Sequence, residues 1–159
     1  MAVRVLIADS SGTTRDTIRN HLVCGGCNVV AETETVAQTI DLFRTTRPDV
    51  ITLDLGLRSA EGVDSYALFS TIRRESPSTS IVIVGASQLL ESRRIYRSKG
   101  ALECIGQPFD SLGMKRIWRR LSDTYPELKR SNPPRSGAES SRCQSSASPT
   151  SPIFIGVRS

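Results

Sequence analysis

The stretch Val50-Ile51-Thr52-Leu53-Asp54 decides the fold class, because four residues suited to a strand end abruptly at an acid. A short, nearly continuous apolar run of this kind is typical of a strand that is buried on both faces, as in a parallel sheet. Comparable runs recur on both sides of it, and they are Val5-Leu6-Ile7, Val29-Val30, Ile81-Val82-Ile83-Val84 and the weaker Cys104-Ile105. The sequence therefore predicts five buried strands.

Segments of helical length separate these runs, and their apolar residues recur at the spacing of one helix face. Five alternations of strand and helix predict an α/β fold with a doubly wound, five-stranded parallel sheet and helices on both of its faces. The apolar positions that mark the five helices are Ile18 and Leu22; Val36, Ile40 and Phe43; Tyr66, Phe69 and Ile72; Leu89, Leu90, Ile95 and Tyr96; and Met114, Ile117, Trp118, Leu121 and Tyr125.

The alternation stops near Leu128, and the chain that follows is rich in serine, proline and arginine. Such a composition buries too little apolar surface to offset the entropy that ordering would remove. We therefore expect a folded domain over residues 1–128, a disordered linker over 129–152 and a short apolar stub over 153–159.

Charge and hydropathy exclude several classes of protein. The chain of 159 residues carries a net charge of +5, but the first 128 residues hold 16 bases and 15 acids, so a nucleic-acid partner is not expected. No apolar run approaches the about 18 residues of a membrane span, and the N-terminus lacks the pattern of a signal peptide. These features favour a cytoplasmic protein without a membrane partner.

His21, Cys24 and Cys27 have a spacing that zinc could use. A fourth ligand is not evident nearby, and Gly25-Gly26 is typical of a turn. We therefore favour incidental thiols in a loop over a zinc site.

Three strand ends carry polar residues. Asp9 follows the first strand, Asp54 ends the third, and Gln107-Pro108 follows the fifth. In an open α/β sheet the ligand site lies beyond the carboxyl ends of the strands. Two carboxylates there can share Mg²⁺, and one of them can accept a phosphoryl group. Each aspartate could instead be a turn residue or a helix N-cap. For Asp54 alone these two interpretations are even, and Asp9 together with the alternation of strands and helices favours a site.

The sequence resembles the receiver domains of two-component response regulators over about residues 3–125. The resemblance implies a flavodoxin-like sheet, no enzymatic activity of its own, Asp54 as phosphoacceptor, and a Mg²⁺ site formed by Asp9, Asp54 and the carbonyl of Gly56. The residues that carry it are Val5-Leu6-Ile7-Ala8-Asp9-Ser10-Ser11, Pro48-Asp49-Val50-Ile51-Thr52-Leu53-Asp54, Gly62, Gly100-Ala101 and Pro108-Phe109.

The chain departs from that family pattern at the positions that bind and transmit the phosphoryl group. One acid, one lysine, one hydroxyl and one aromatic of the pattern are replaced, which predicts a weakened Mg²⁺ site and a degenerate switch. Ser10 stands at the second acid, Gly85 at the hydroxyl with Ser87 two residues on, Gln107 at the lysine, Cys104 at the aromatic, and Arg58 at a usual proline.

Basic residues cluster on the fourth and fifth helices, which the resemblance makes part of the receiver's output face. A solvated helix surface and a patch that meets an acidic partner both remain open. The bases are Arg93, Arg94, Arg97 and Lys99 in the fourth helix, and Lys115, Arg116, Arg119 and Arg120 in the fifth.

Val29-Val30-Ala31-Glu32 and the segment from Arg47 to Asp54 resemble the regulatory domain of chemotaxis protein-glutamate methylesterases. Three hypotheses follow. The chain is a phosphoryl-accepting signalling module, a phosphorylation-independent pseudo-receiver that binds a partner, or a truncated regulatory part of such a methylesterase. The partners implied are a histidine kinase or a chemotaxis-type protein.

Overall fold

The computed structural model describes residues 2–86 and 92–130. Its sheet has five strands, all paired in parallel, in the order β2-β1-β3-β4-β5. This is the expected doubly wound α/β sheet, and its strand order is one of the two common orders of that class. The strands are β1 (Arg4–Ala8), β2 (Asn28–Thr33), β3 (Val50–Asp54), β4 (Ser80–Ala86) and β5 (Glu103–Gln107).

The helices alternate with the strands along the chain. Polar residues cap the amino ends of four of them, because a short side chain accepts a hydrogen bond from a backbone N–H of the first turn. These caps are Ser11, Thr35, Asp64 and Asp110. The helices are α1 (Gly12–Cys24), α2 (Val36–Thr46), α3 (Ser65–Glu75), α4 (Ser92–Ser98) and α5 (Ser111–Thr124), followed by a 3-10 helix (Pro126–Arg130).

The sheet separates two apolar layers. Alternate residues of each strand face opposite sides, so that Leu6 packs with α2, α3 and α4, whereas Ile7 packs with α1 and α5. Two expected core positions are wrong, because Tyr66 is 39% exposed and Ile95 is 52% exposed. Tyr66 is the second residue of α3, whereas Ile95 lies in the middle of α4 on its exposed side. Leu89 and Leu90, expected in the same helix as Ile95, lie outside the described residues.

The second layer extends beyond α5. Leu128 is only 2% exposed and packs with α1 and α5, so the 3-10 helix belongs to the folded part. From residue 131 onward, the expected linker (129–152) and the stub (153–159) lie outside the described residues. Within the described residues, the helices lack the length and apolar character needed to cross a membrane.

Candidate functional site

The parallel pairing of β1 with β3 brings the two predicted carboxylates together. Ala8 is the register partner of Leu53, so Asp9 and Asp54 follow one another at the same edge of adjacent strands. Both are buried, with 1% and 7% of their surfaces exposed. The site therefore lies where an open α/β sheet places its ligand.

The surroundings of Asp9 disfavour the charged form of its carboxyl group. Its Oδ1 accepts a hydrogen bond from the backbone N–H of Ser11 at 2.7 Å, but its buried Oδ2 has no hydrogen-bond partner among the described residues. Burial, and secondarily the neighbouring charge of Asp54, raise the pKa of Asp9 to about 6. A cation bound beside a buried anionic oxygen that lacks a hydrogen-bond partner would stabilise its charge.

Asp54 is oriented by its own loop. Its Oδ1 accepts a hydrogen bond from the N–H of Gly56 at 2.9 Å, and its Oδ2 accepts one from the hydroxyl of Ser10 at 3.3 Å. Ser10, predicted at a position usually held by an acid, therefore contacts the candidate phosphoacceptor directly. The hydroxyl donates to Asp54 but adds no negative charge to the site.

The backbone around Asp54 is fixed by a residue that sequence analysis missed. The buried hydroxyl of Ser65, the first residue of α3, donates to the carbonyls of Asp54 and Leu55 at 3.2 and 2.9 Å. The same loop is anchored further on, where the N–H of Val36 donates to the carbonyl of Arg58 at 2.9 Å. Ser65 carried no separate signal in the sequence, because a serine at a helix start is usually only a cap.

Arg15 is a second residue that sequence analysis missed. Its guanidinium donates to the backbone carbonyl of Asp9 at 2.6 Å and to Glu34 at 2.8 Å, and its charge opposes the rise in the pKa of Asp9. The available signal was its spacing, because Arg15 lies three and seven residues before Ile18 and Leu22 on the buried stripe of α1. The site thus contains a fixed positive charge that the loss of the family lysine had not led us to expect.

The donor set fits a hard divalent cation, although with few charged ligands. Asp9, with its unpartnered oxygen, follows the strand next to that of Asp54, and Asp54 contacts the exposed Gly56, whose carbonyl is the third predicted ligand. The described residues contain no group of three or more histidine, cysteine, aspartate and glutamate side chains that would hold a metal ion. This finding also covers His21, Cys24 and Cys27.

Gly85, which stands where the family pattern has a hydroxyl residue, is closely covered by a neighbouring side chain. Gly85 lies in β4 beneath Leu55, and a β-carbon added at Gly85 would lie 3.1 Å from the Cδ1 atom of Leu55. Gln107 is half-buried at the end of β5, where it pairs in register with Ala86. Ser87 lies outside the described residues. The small residue at Gly85 therefore matches the side chain that follows the candidate phosphoacceptor.

Cys104 is buried, which raises the pKa of its thiol to about 11, so it stays neutral. It shares a cavity of about 10 Å³ with Leu55, Gly85 and Tyr96. Tyr96 of α4 is itself buried and packs perpendicular to Phe69 at a ring distance of 5.1 Å. The interior beside the switch positions is therefore filled by an aromatic from α4 rather than from β5.

The predicted partner face forms a concave surface. We name it the arginine cleft: it has a volume of about 680 Å³ and lies between α4 and α5. Glu103 of β5, which sequence analysis missed, also lines it, and an acid inside an apolar strand was the signal for it. Lys115 is exposed outside this lining. The arginines of the cleft are Arg93, Arg94, Arg97, Arg116, Arg119 and Arg120.

The parallel sheet and the two carboxylates at adjacent strand ends match what the resemblance to receiver domains implies. The family described as response regulator receiver domain matches residues 5–117, and the chain belongs to that family. It is therefore a receiver domain of the kind that takes part in two-component signalling.

Two groups of chemotaxis proteins are among its relatives. A protein-glutamate methylesterase/protein-glutamine glutaminase of Halobacterium salinarum is 31% identical over 105 residues, which cover 65% of this chain and 29% of the relative. The chemotaxis protein CheY of Bacillus subtilis is 36% identical over 63 residues, 40% of this chain and 52% of the relative. The chain thus spans less than a third of the methylesterase and about half of CheY.

Solved structures share the fold at low sequence identity. The receiver domain of a putative Luxo repressor protein from Vibrio parahaemolyticus has a TM-score of 0.67 at 19% identity, over 81% of this chain and 94% of that one. The REC domain of AraT, a response regulator from Geobacillus stearothermophilus, has a TM-score of 0.68 at 21% identity, over 82% and 98% of the two chains.

Proposed function

We propose that this receiver accepts a phosphoryl group on Asp54 and does so with a weakened Mg²⁺ site. The observation that carries the proposal is the pairing of two buried carboxylates at the ends of β1 and β3, one of which has an unpartnered oxygen. In this proposal the chain is a cytoplasmic signalling module and is not itself an enzyme. Its donor is a histidine kinase or a small acyl phosphate.

Phosphorylation is tested by incubating the full chain with acetyl phosphate and Mg²⁺, followed by intact-mass measurement. We expect one added phosphoryl group, which Asp54→Asn abolishes because the amide cannot form an acyl phosphate. Asp41→Asn is the matched control, since Asp41 is exposed on α2 and its loss should leave labelling unchanged. Labelling that survives Asp54→Asn would contradict the assignment of the acceptor.

The Mg²⁺ ion would be held by Asp9, Asp54 and the carbonyl of Gly56, where it would neutralise charge that develops during phosphoryl transfer. Ser10 offers no charge to it, so we expect weaker binding than a site with three carboxylates would give. Ser10→Asp should tighten Mg²⁺ binding about tenfold, which corresponds to about 1.4 kcal/mol, because it adds a negatively charged ligand to the site. Ser11→Asp adds the same charge one residue away and should act much less. An unchanged affinity in Ser10→Asp would place the metal elsewhere.

A second candidate function is a pseudo-receiver, which binds its partner without using phosphate. The observation that favours it is that two positions of the family's switch lack the usual side chains. Gly85 stands at the hydroxyl position and lies under Leu55, and the buried Cys104 stands at the aromatic position and lies beside Tyr96. A ligand shifts a two-state equilibrium only by its differential affinity for the two states. Without the family's hydroxyl and lysine, that differential should be small.

Beryllofluoride distinguishes the two functions in an amide NMR experiment. We expect shifts near Asp9, Asp54 and Gln107 and little change at Arg94, Cys104 and Arg116. This result would mean that the site binds the phosphoryl analogue without moving the output face. Large shifts across α4 and α5 would contradict the degenerate switch and favour an ordinary phosphorylation switch.

The relatives support a chemotaxis setting for the module, either as a separate protein or as the regulatory part of a methylesterase. The 31% identity to the Halobacterium salinarum methylesterase supports the proposal that the module is the regulatory part of such an enzyme. Phosphotransfer from a purified chemotaxis histidine kinase tests this setting. Transfer to the wild-type chain but not to Asp54→Asn supports it, and a lack of transfer under conditions where acetyl phosphate labels Asp54 would contradict it.

A further inference from the structure

The arginine cleft concentrates positive charge in a compact volume. Six arginines line it against two carboxylates, Glu103 and Asp123, so its walls hold an excess of four positive charges. Its volume of about 680 Å³ lies within the roughly 300–1,000 Å³ that small-molecule sites occupy. Size and charge together point to a small polyanion.

Four of the six arginines have no acidic partner in the part of the chain that the structure describes. Within residues 2–86 and 92–130, Arg97 and Arg120 are the only cleft arginines in ion pairs, both with Glu103, and the other lining carboxylate, Asp123, pairs with Lys129. Guanidinium groups that converge without counter-ions repel one another, and an anion placed between them relieves that repulsion. The four arginines are Arg93, Arg94, Arg116 and Arg119.

Glu103 is a counter-ion built into the cleft. Its side chain is only 8% exposed; Oε1 lies 3.8 Å from Arg97 of α4, and Oε2 lies 3.6 Å from Arg120 of α5. The same Oε1 accepts a hydrogen bond from the N–H of Cys104 at 3.0 Å, which fixes the carboxylate in place. Glu103 therefore links the two helices and orients one guanidinium from each.

We propose that the arginine cleft binds a compact anion with several phosphate groups, of the class of a nucleoside triphosphate or an inorganic oligophosphate. Planar guanidinium groups bind phosphate oxygens through paired hydrogen bonds. An acidic peptide extends about 3.5 Å per residue, so it brings few carboxylates into the cleft at once, whereas a triphosphate concentrates its charge. The proposal does not depend on phosphorylation of Asp54.

Calorimetric titration of the full chain tests the proposal, with tripolyphosphate, ATP and a glutamate-rich peptide as separate probes. EDTA removes divalent cations, and the ionic strength is kept at about 0.15 M so that diffuse charge effects are screened beyond about 8 Å. We expect saturable binding of one tripolyphosphate or ATP per chain. Equal affinities would mean that the phosphate chain is recognised, and tighter binding of ATP would mean that the nucleoside contributes.

Three variants connect that binding to the cleft. Arg94→Gln and Arg119→Gln should each weaken it about tenfold, which corresponds to about 1.4 kcal/mol. Glu103→Gln should tighten it several-fold, because the amide keeps the acceptor for Cys104 but removes a negative charge. Lys115→Gln is the matched control on α5, and it should change the affinity less than twofold. The two arginine variants decide the result if Glu103→Gln does not fold.

Several outcomes would overturn the proposal. They are the absence of saturable binding, a peptide that binds more tightly than both phosphate probes, and a loss in Lys115→Gln equal to that in Arg119→Gln. Loss of binding in Asp54→Asn would also overturn it, since the anion would then occupy the strand-end site. Retained binding in Asp54→Asn supports it whether or not Asp54 accepts a phosphoryl group.

Discussion

Among single residues, Asp9 shows how the fold alters the chemistry of an ordinary side chain. The carboxyl group is buried, with one oxygen bound to the N–H of Ser11 and the other without a partner among the described residues. Burial raises its pKa to about 6 from an ordinary value of 3.8. The charged form of Asp9 therefore destabilises the metal-free fold at neutral pH.

We predict that Asp9→Asn stabilises the protein in metal-free buffer above pH 6, by on the order of 1–2 kcal/mol. Asparagine keeps an acceptor for Ser11 and carries no charge. The folded state binds the Asp9 proton more tightly than the unfolded state, so the advantage should fade as pH falls from the folded pKa of about 6 to 3.8. Urea unfolding of the variant and the wild type, above pH 6 and again at pH 3.8, measures this difference in the free energy of unfolding. Asp41→Asn should change little at either, and equal stability of Asp9→Asn and wild type above pH 6 would contradict the account.

At Gly85, restoring the hydroxyl residue of the family pattern would also disturb the neighbouring Leu55. A β-carbon at this position would lie 3.1 Å from Cδ1 and 3.3 Å from Cγ of Leu55, closer than ordinary van der Waals contact. We predict that Gly85→Ser destabilises the fold by about 1 kcal/mol through overpacking. Chemical denaturation measures this loss, and Ala86→Ser, at an exposed neighbour in β4, is the control.

The double variant Gly85→Ser/Leu55→Ala tests the cause. If the hydroxymethyl group presses on Leu55, the two changes should be less destabilising together than their sum by at least about 0.5 kcal/mol. Strict additivity would mean that Leu55 does not limit the side chain at Gly85.

At the scale of elements, the turn after α1 is matched to α5. Gly25 caps the carboxyl end of α1, and the indole ring of Trp118 lies where a β-carbon of residue 25 would be. The following Gly26 has a φ of 90°, a conformation that side chains rarely adopt. The sequence predicted the turn and the inward position of Trp118 separately, but only the packed helices show that one requires the other.

We predict that Gly25→Ala destabilises the protein by about 1–3 kcal/mol, because its methyl group must displace the indole ring. The emission of Trp118, the single tryptophan of the chain, should shift in the folded state as the ring moves. Gly12→Ala is the control, since a β-carbon there comes no closer than 3.6 Å to Arg15. Unchanged emission and stability in Gly25→Ala would contradict this packing.

At the scale of the whole molecule, the folded unit includes the 3-10 helix that follows α5. Leu128 is 2% exposed, and its N–H donates to the carbonyl of Tyr125 at 3.0 Å. The hydroxyl of Tyr125 in turn donates to the carbonyl of Asp49 at 2.8 Å. The 3-10 helix therefore closes the layer formed by α1 and α5.

We predict that a chain cut after Arg130 unfolds cooperatively, with a midpoint within a few degrees of that of the full chain. A chain cut after Tyr125 should lose about 2–5 kcal/mol, the usual range for removing a buried leucine side chain. Thermal unfolding followed by circular dichroism measures both, and Leu128→Ala in the longer chain is the matched control. A large loss in the chain cut after Arg130 would mean that residues 131–159 contribute to the stability of the fold.

The sequence by itself determined the class of fold and the position of the candidate site. Buried strands appear as contiguous apolar runs, and a strand-end acid such as Asp54 follows its run directly. Both can therefore be predicted from residues that are adjacent in the sequence. The departures at Gly85, Cys104 and Gln107 came from the resemblance to receiver domains, in which each of these positions has a fixed offset from its strand.

Only the tertiary structure decided which distant side chains meet. Arg15 reaches the carbonyl of Asp9, Leu55 covers Gly85, and Glu103 draws arginines of α4 and α5 into one cleft. These contacts depend on how helices are rotated and seated on the sheet. That arrangement is set by the packing of many residues far apart in sequence, and the spacing within any one segment does not encode it.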